Sequence, residues 1–164
     1  MLITSRLQLI PTTVEHWHAE REDIDVLADL LDATVTTAWP PADRTSVRDD
    51  WSKAYEGAEE EPIWLAWYGV LRKPEPTVVA HAGFDGAPNA AGEVAVRYAL
   101  LPDHASTDLA VELLDALTFW ALSQPNVNRV LLAESVEANA DVLSAVGFAW
   151  EEATSRHVLA VTTP

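Results

Sequence analysis

The order of strand-like and helix-like segments is the sequence feature that most constrains how this chain folds. Three segments rich in β-branched and aromatic residues, Ile63–Leu71, Thr77–Phe84 and Glu93–Leu101, are separated by short turns that contain proline or glycine. Consecutive strands with short links predict an antiparallel meander. An apolar stripe at helical spacing then predicts a helix from Ser106 to Ser123, and an apolar segment predicts a strand at Asn128–Ala133. The expected fold class is therefore α/β, with a mixed sheet.

Shorter elements are expected on both sides of this central region. Asp23 is placed to cap a second helix after a break near residue 21. Because neither a repeat nor a linker is present, residues 1–164 are expected to form one domain. The further expected elements are a strand at Ser5–Ile10, helices within Val14–Ala33, a helix that begins at Thr45 or Ser46 and ends by Gly57, a short helix from Val136 or Glu137 to Val146, and a final hairpin of Phe148–Trp150 with His157–Val161.

The charge of the chain excludes some classes of partner. It has 26 acidic and 10 basic residues, which give a formal net charge of −16, and the basic residues form no long cluster. Nucleic acids and anionic membranes are bound through clustered Lys and Arg, so neither is expected as a partner. An amine ligand suits this charge, although an acidic surface also simply maintains solubility.

Residue types exclude several kinds of site. The chain has no cysteine, and therefore no disulfide, thiolate metal site or cysteine nucleophile. His16 and His18 are two residues apart on a predicted helix and point to different sides, so no metal site is expected. The sequence has neither a signal-peptide pattern nor a run of about 18 apolar residues. The simplest expectation is a cytoplasmic protein.

Six short motifs, in their order along the chain, resemble the GNAT superfamily of N-acetyltransferases, in particular the branch of ribosomal-protein N-terminal acetyltransferases. No single motif is specific, and the resemblance rests on their order and spacing over nearly the whole chain. The motifs are SRLQLIP at Ser5–Pro11, WP at Trp39–Pro40, AGFDGAP at Ala82–Pro88, FWA at Phe119–Ala121, PNVNRV at Pro125–Val130 and VGF at Val146–Phe148.

This resemblance implies a fold and an activity. It implies a mostly antiparallel central sheet with helices on both faces and a V-shaped split between two parallel strands, Glu93–Leu101 and Asn128–Ala133. The implied reaction transfers an acetyl group from acetyl-CoA to an amine of a small molecule or peptide. The pantetheine arm of the cofactor would pair with strand backbone at Leu100 and Leu101, and its diphosphate would lie at the N-terminus of the next helix.

The segment that the resemblance assigns to the diphosphate departs from the family pattern, which is Arg/Gln-x-x-Gly-x-Gly/Ala. Here Ala105 replaces the basic residue, and Asp108 replaces a glycine. A carboxylate about 4 Å from a phosphate oxygen would cost on the order of 4 kcal/mol at an effective dielectric constant of 20. The sequence therefore predicts weak or altered coenzyme A binding. The cofactor-binding positions implied by the resemblance are Leu100, Leu101, Ala105, Ser106, Thr107, Asp108, Leu109 and Ala110.

Two alternatives follow from this segment. Ser106 and Asp108 also suit an ordinary helix start, as an N-cap and a first-turn acid. If coenzyme A does not bind, the chain is a non-catalytic protein of this fold that binds a ligand or another protein. A third alternative is a structural subunit of a homodimer.

The candidates for the catalytic base are Glu93 and His81. The resemblance places the family's glutamate at Ala95, and Glu93 lies two residues earlier on the same strand face. Arg97 shares that face, so an ion pair between Glu93 and Arg97 is the alternative. For His81, the alternative is a buried core histidine. Trp39 and Trp64 are candidates to line an acceptor cleft.

Overall fold

The computed structural model describes residues 1–41, 55, 63–134, 136 and 139–160. Its centre is one mixed sheet with the strand order β1-β2-β3-β4-β5-β6-β8-β7. Among these strands β5 and β6 pair in parallel, and the other neighbours pair antiparallel. The strands are β1 Leu2–Ile3, β2 Leu7–Pro11, β3 Ala66–Leu71, β4 Thr77–Phe84, β5 Glu93–Leu100, β6 Arg129–Leu132, β7 Ala149–Glu151 and β8 Arg156–Ala160.

Each described helix begins at a residue whose side chain caps it. Thr13 Oγ1 accepts the amide of His16, Asp23 accepts that of Asp25, and Ser106 Oγ accepts that of Leu109. No helix of the described chain is long and apolar enough to cross a membrane. The helices are α1 Val14–Glu22, α2 Ile24–Leu31, α3 Thr107–Leu122 and α4 Ala140–Val146.

Helices cover both faces of the sheet, and two neighbouring residues of β3 show the division. Trp67 packs in a cluster with α3 and α4, whereas Tyr68 packs with α1 and α2. Side chains alternate between the two faces of a strand, so these clusters lie on opposite sides. The α/β fold class expected from the sequence, with its mixed and mostly antiparallel sheet, is therefore confirmed.

Several predicted boundaries differ from the structure. The hairpin of β1 with β2 was missed, because a strand of two residues has no detectable periodicity. β3 begins at Ala66 rather than Ile63, and α4 begins at Ala140 because Asn139 Oδ1 accepts the amides of Asp141 and Val142. The predicted helix from Thr45 or Ser46 falls outside the described residues, except for Tyr55.

Glu112 joins α3 to the hairpin of β1 and β2. Its Oε1 accepts hydrogen bonds from Thr4 Oγ1 at 2.5 Å and from the Arg6 amide at 2.6 Å, and its Oε2 accepts one from Arg6 Nε at 2.7 Å. Burial opposes ionisation and raises the pKa of Glu112, but these hydrogen bonds and the Arg6 charge outweigh it, so the pKa lies below its usual 4.5. The ionised side chain therefore stabilises the folded state.

We expect Glu112→Gln to lower the free energy of unfolding by about 2 kcal/mol at pH 7, because hydrogen bonds to a charged acceptor are lost. A folded-state pKa below the unfolded value gives stability that is present above about pH 4.5 and lost as pH falls through the folded value. Urea unfolding at pH 7 and pH 3 should thus show a difference from wild type that shrinks at pH 3.

Glu134→Gln is the control for this measurement. The Glu134 side chain is 85% exposed and pairs with Arg156 at 3.2 Å. Exposed ion pairs contribute little, so its effect should stay below about 0.5 kcal/mol at pH 7. Equal losses in the two variants would contradict a specific role for Glu112.

Candidate functional site

The parallel strands β5 and β6 separate at the middle of β5. Their register pairs Glu93 with Arg129 and ends with Val96 opposite Leu132, followed by a hydrogen bond of 2.9 Å from the Ala133 amide to the Val96 carbonyl oxygen. Past Val96, β5 continues to Leu100 and pairs only with β4 among the described strands. We call the resulting gap, beside residues 97–100 of β5, the split.

Two residues of β5 direct their backbone groups into the split. The Ala95 carbonyl accepts the Asp85 amide just after β4, and the Leu101 amide donates to Val79 of β4, whereas the Val96 carbonyl accepts on the β6 side. Because these directions alternate along a strand, the amides and carbonyls of Tyr98 and Leu100 face the β6 side, beyond the last β6 pair. As far as the described residues show, the split therefore offers two donors and two acceptors.

The loop that links β5 to α3 is an ordinary helix start. Pro102–His104 forms a single 3₁₀ turn, and Ser106 caps α3 through a bond of 3.3 Å to the Leu109 amide. The residues with positive φ in the described chain do not include any of residues 105–110. Asp108, at the substituted glycine position, is therefore not strained, and the helix-cap alternative holds for Ser106.

The charged groups of this loop are mostly acidic. Asp103 and Asp108 are both exposed, with Asp108 in the first turn of α3. The Arg6 guanidinium reaches this turn, where Nη2 donates to the Asp108 carbonyl oxygen at 2.8 Å and Nε pairs with Glu112. The nearby cation is thus already held by two acceptors of α3.

His81 lies on β4, opposite Ala99, and so one residue from Leu100 along β5. It is 4% exposed, and its ring contacts those of Tyr68 at 6.0 Å and Trp39 at 6.1 Å between centroids. Glu20 of α1 accepts hydrogen bonds from Tyr68 Oη at 2.5 Å and Trp39 Nε1 at 3.3 Å. A histidine, a carboxylate and two aromatic rings therefore meet on the α1 face beside the split.

Sequence reasoning missed Glu20 and Tyr68 in this group. Glu20 lies four residues after the buried His16, a spacing that places both on one face of α1. Tyr68 lies opposite His81 in the register of β3 with β4. The helical spacing could have been read from the sequence, whereas the strand register depends on a bulge between Gly69 and Val70.

The structure separates the two candidate bases. Glu93 begins β5, six residues before Ala99, so about 20 Å of strand lies between Glu93 and the position opposite His81. Glu93 pairs with Arg129 at 3.4 Å, and Arg97 pairs with Asp85, which directly follows β4. The sequence suggested an ion pair between Glu93 and Arg97, but each of them pairs with another residue.

Arg129 also links β6 to β7. Its Nη2 donates to Glu151 Oε2 at 2.5 Å, and Thr154 Oγ1 donates to the same oxygen at 2.8 Å. These hydrogen bonds, that from Thr154 first, lower the pKa of Glu151. On β5 beside the split, burial raises the pKa of the Tyr98 phenol, which therefore stays neutral at physiological pH.

Trp39 and Trp64 lie on opposite faces, so the expectation that both line one cleft is wrong. Trp39 packs beside His81, whereas Trp64 packs on Phe84 and Trp120 on the α3 side. Trp64 borders a cavity of about 840 Å³ formed with residues 88–92, 124–126 and 128, at the start of β5 and away from the split. Within the described ranges, no group of three His, Asp or Glu side chains could hold a metal ion.

Solved structures of acetyltransferases share this arrangement of strands and helices. The structure of RimL, a ribosomal L7/L12 alpha-N-protein acetyltransferase in complex with coenzyme A, superposes with a TM-score of 0.60 at 13% identity, covering 98% of this chain and 97% of that one. The Salmonella typhimurium acetyltransferase that modifies the N-terminal serine of L7/L12 gives 0.58 at 12% identity, covering 97% of each chain. The aminoglycoside acetyltransferase AAC(6')-Ib in complex with coenzyme A gives 0.55 at 14% identity, covering 94% and 95%.

No protein-family model and no curated protein matches the sequence. At identities of 12 to 14% the structural likeness establishes the fold, not the activity. With its split parallel pair and its helices on both faces, this chain has the fold of the GNAT acetyltransferases.

Proposed function

We propose that this chain is an acyl-CoA-dependent N-acyltransferase that transfers an acetyl group to an amine and binds coenzyme A weakly. The observation that carries the proposal is the separation of β5 from β6 after Val96, with backbone groups of Tyr98 and Leu100 directed into the gap. Two structures of the same fold contain coenzyme A, which supports the assignment. When bound, acetyl-CoA supplies an acetyl group activated as a thioester.

The residues beside the split fit one end of coenzyme A. The pantetheine arm contains two amides, and the backbone of Tyr98 and Leu100 presents donors and acceptors at strand spacing. An extended chain with amides pairs with an open strand edge in this way. The amide and carbonyl of Leu100 and the carbonyl of Tyr98 would therefore hold the pantetheine arm.

The diphosphate end of coenzyme A fits the N-terminus of α3 poorly. The amides of Thr107 and Asp108 lie at the N-terminus of α3, where the helix dipole favours an anion. However, the carboxylates of Asp103 and Asp108 are close to any diphosphate there, and the Arg6 charge is balanced by Glu112. This imbalance is the reason for the weak binding that we propose.

Acetyl transfer also needs a donor that polarises the acyl carbonyl and a base that accepts the proton of the amine. The diphosphate end of coenzyme A lies beyond Leu100, so the thioester lies toward Val96, where the Tyr98 amide is a fixed donor that would polarise an acyl carbonyl at the split. A base must lie within hydrogen-bond reach of the amine, directly or through one water. His81 lies opposite Ala99, one residue from Tyr98 along β5, and meets this condition better than Glu93, so we assign proton acceptance from the amine to the His81 imidazole. The acceptor, a small-molecule or peptide amine, would approach past Trp39 and Glu20.

The direct test measures thiol release from acetyl-CoA in the presence of a panel of primary amines and N-terminal peptides. Amine-dependent release above the uncatalysed rate supports the proposal, and no release at millimolar acetyl-CoA with any amine overturns it. The second outcome would favour a non-catalytic binding protein, for which the acidic loop at Asp103 and Asp108 is the supporting observation.

We expect His81→Gln to lower kcat/KM by about 100-fold and Glu93→Gln to lower it by less than about threefold. The reason is position, since Glu93 lies far from the split and already pairs with Arg129. Initial rates across pH 6 to about 9 check this, because loss of a base also removes the acidic limb of the profile. Thermal unfolding of both variants separates lost catalysis from lost folding, and a larger effect for Glu93→Gln would reverse the assignment.

A further inference from the structure

The two ends of the donor site differ in what they provide. At the split, the contacts come from strand backbone and carry no charge, and they are independent of side-chain identity at Tyr98 and Leu100. At the start of α3, recognition of a diphosphate would depend on charge and on free amides. The donor site therefore has a neutral half at the split and a charged half at the start of α3.

The charged half opposes an anion. Three carboxylates lie in or beside the first turns of α3, those of Asp103, Asp108 and Glu112, against one guanidinium, that of Arg6. Arg6 Nε is paired with Glu112 and Nη2 with the Asp108 carbonyl oxygen. A phosphate at this position would meet a net negative field, which is the reverse of an anion site.

The free amides are also fewer than at an uncapped helix. Ser106 Oγ accepts the Leu109 amide, and the Ser106 carbonyl accepts the Ala110 amide at 3.0 Å. Of the first turn, this leaves the amides of Thr107 and Asp108, and the second of these carries the carboxylate. The dipole of α3 is thus partly satisfied by the protein's own side chains.

We infer that this chain recognises its acyl donor through the pantetheine arm alone, so that its donor is an acyl-pantetheine thioester and the nucleotide adds no affinity. The inference rests on the proposed function and specifies its donor. Any acyl thioester of pantetheine, free or carried by coenzyme A, would then bind with similar strength.

Calorimetry on the full chain tests this with acetyl-pantetheine, acetyl-CoA and adenosine 3′,5′-diphosphate. We expect acetyl-pantetheine to bind at least as tightly as acetyl-CoA, and the nucleotide alone to give no heat at millimolar concentration. Raising the salt concentration from about 50 to about 300 mM should leave acetyl-CoA binding unchanged or tighten it, because salt screens repulsion. Acetyl-CoA binding about tenfold more tightly than acetyl-pantetheine, and weakening with salt, would overturn the inference while leaving the proposed function intact.

Variants of the loop give a second, independent readout. The double variant Asp103→Asn and Asp108→Asn should tighten acetyl-CoA binding by about tenfold and leave acetyl-pantetheine binding unchanged. Asp115→Asn is the matched control, since Asp115 is exposed on the same helix but two turns further on. Equal affinities for acetyl-CoA in the double variant and wild type would contradict the inference. Absence of binding for every ligand to every variant would overturn the proposed function, and the inference with it.

Discussion

Gly83→Ala is expected to lower the free energy of unfolding by about 3 kcal/mol or more, because β4 has no space for a side chain at this position. An added Cβ would overlap the Leu65 carbonyl oxygen and lie 2.8 Å from the Leu65 carbonyl carbon and 3.0 Å from Ala66 Cα. All three are backbone atoms, which cannot rotate away as a side chain would. The same carbonyl accepts the Phe84 amide at 2.9 Å, so relief of the overlap breaks a hydrogen bond.

The Gly83→Ala substitution is also expected to disturb the split. Gly83 pairs with Arg97 of β5, the residue that follows the end of the parallel pair. Movement of β4 at Gly83 therefore shifts β5 where it begins to diverge from β6. We expect Gly83→Ala to weaken donor binding as well as folding, whereas a purely local clash would affect stability alone.

Gly86→Ala is the control, measured by urea and thermal unfolding alongside Gly83→Ala. Gly86 has φ +138° but no atom within 4 Å of the added Cβ, so only backbone strain is expected. That strain should cost about 1 kcal/mol, and a loss of about 3 kcal/mol at Gly83 should lower Tm by roughly 10 °C in a chain of this size. Equal losses at the two glycines would show that contact with Leu65 has no role.

The main elements could be predicted from the sequence because their signals are local. The stripe of Leu109, Leu113 and Leu117 gives α3, and Ser106 caps it as expected. Thr13 and Asp23 cap α1 and α2 for the same reason, since a cap depends only on the residues that follow it within one turn.

The candidate site could be predicted only in part, because it depends on register between strands. Glu93 lies opposite Arg129, and His81 opposite Ala99, through pairings of residues far apart in sequence. A shift of one residue would turn each side chain to the other face of the sheet, and nothing in a single strand fixes that choice. The parallel pair itself was expected from the resemblance and not from periodicity.

Tyr98→Pro is expected to lower kcat for acetyl transfer by about 100-fold, because it removes the backbone donor nearest the thioester at the split. The Tyr98 amide faces away from β4, so its loss costs no hydrogen bond between β4 and β5. Proline is tolerated at such strand positions, where the missing N–H has no partner among the described strands, and the preceding Arg97 is already extended.

Tyr98→Ala separates the role of the backbone amide from that of the side chain. The Tyr98 side chain packs partly against the cluster that contains α3, and both substitutions lose that packing, but alanine keeps the amide. We expect Tyr98→Ala to retain kcat within about threefold, while Tyr98→Pro loses about 100-fold with a similar Tm. Loss of a donor that acts on the transition state lowers kcat, whereas loss of a donor that only holds the pantetheine arm raises KM at constant kcat. If the two variants transfer acetyl groups equally well, the Tyr98 amide does not polarise the acyl carbonyl, and the reacting group must lie elsewhere along the split.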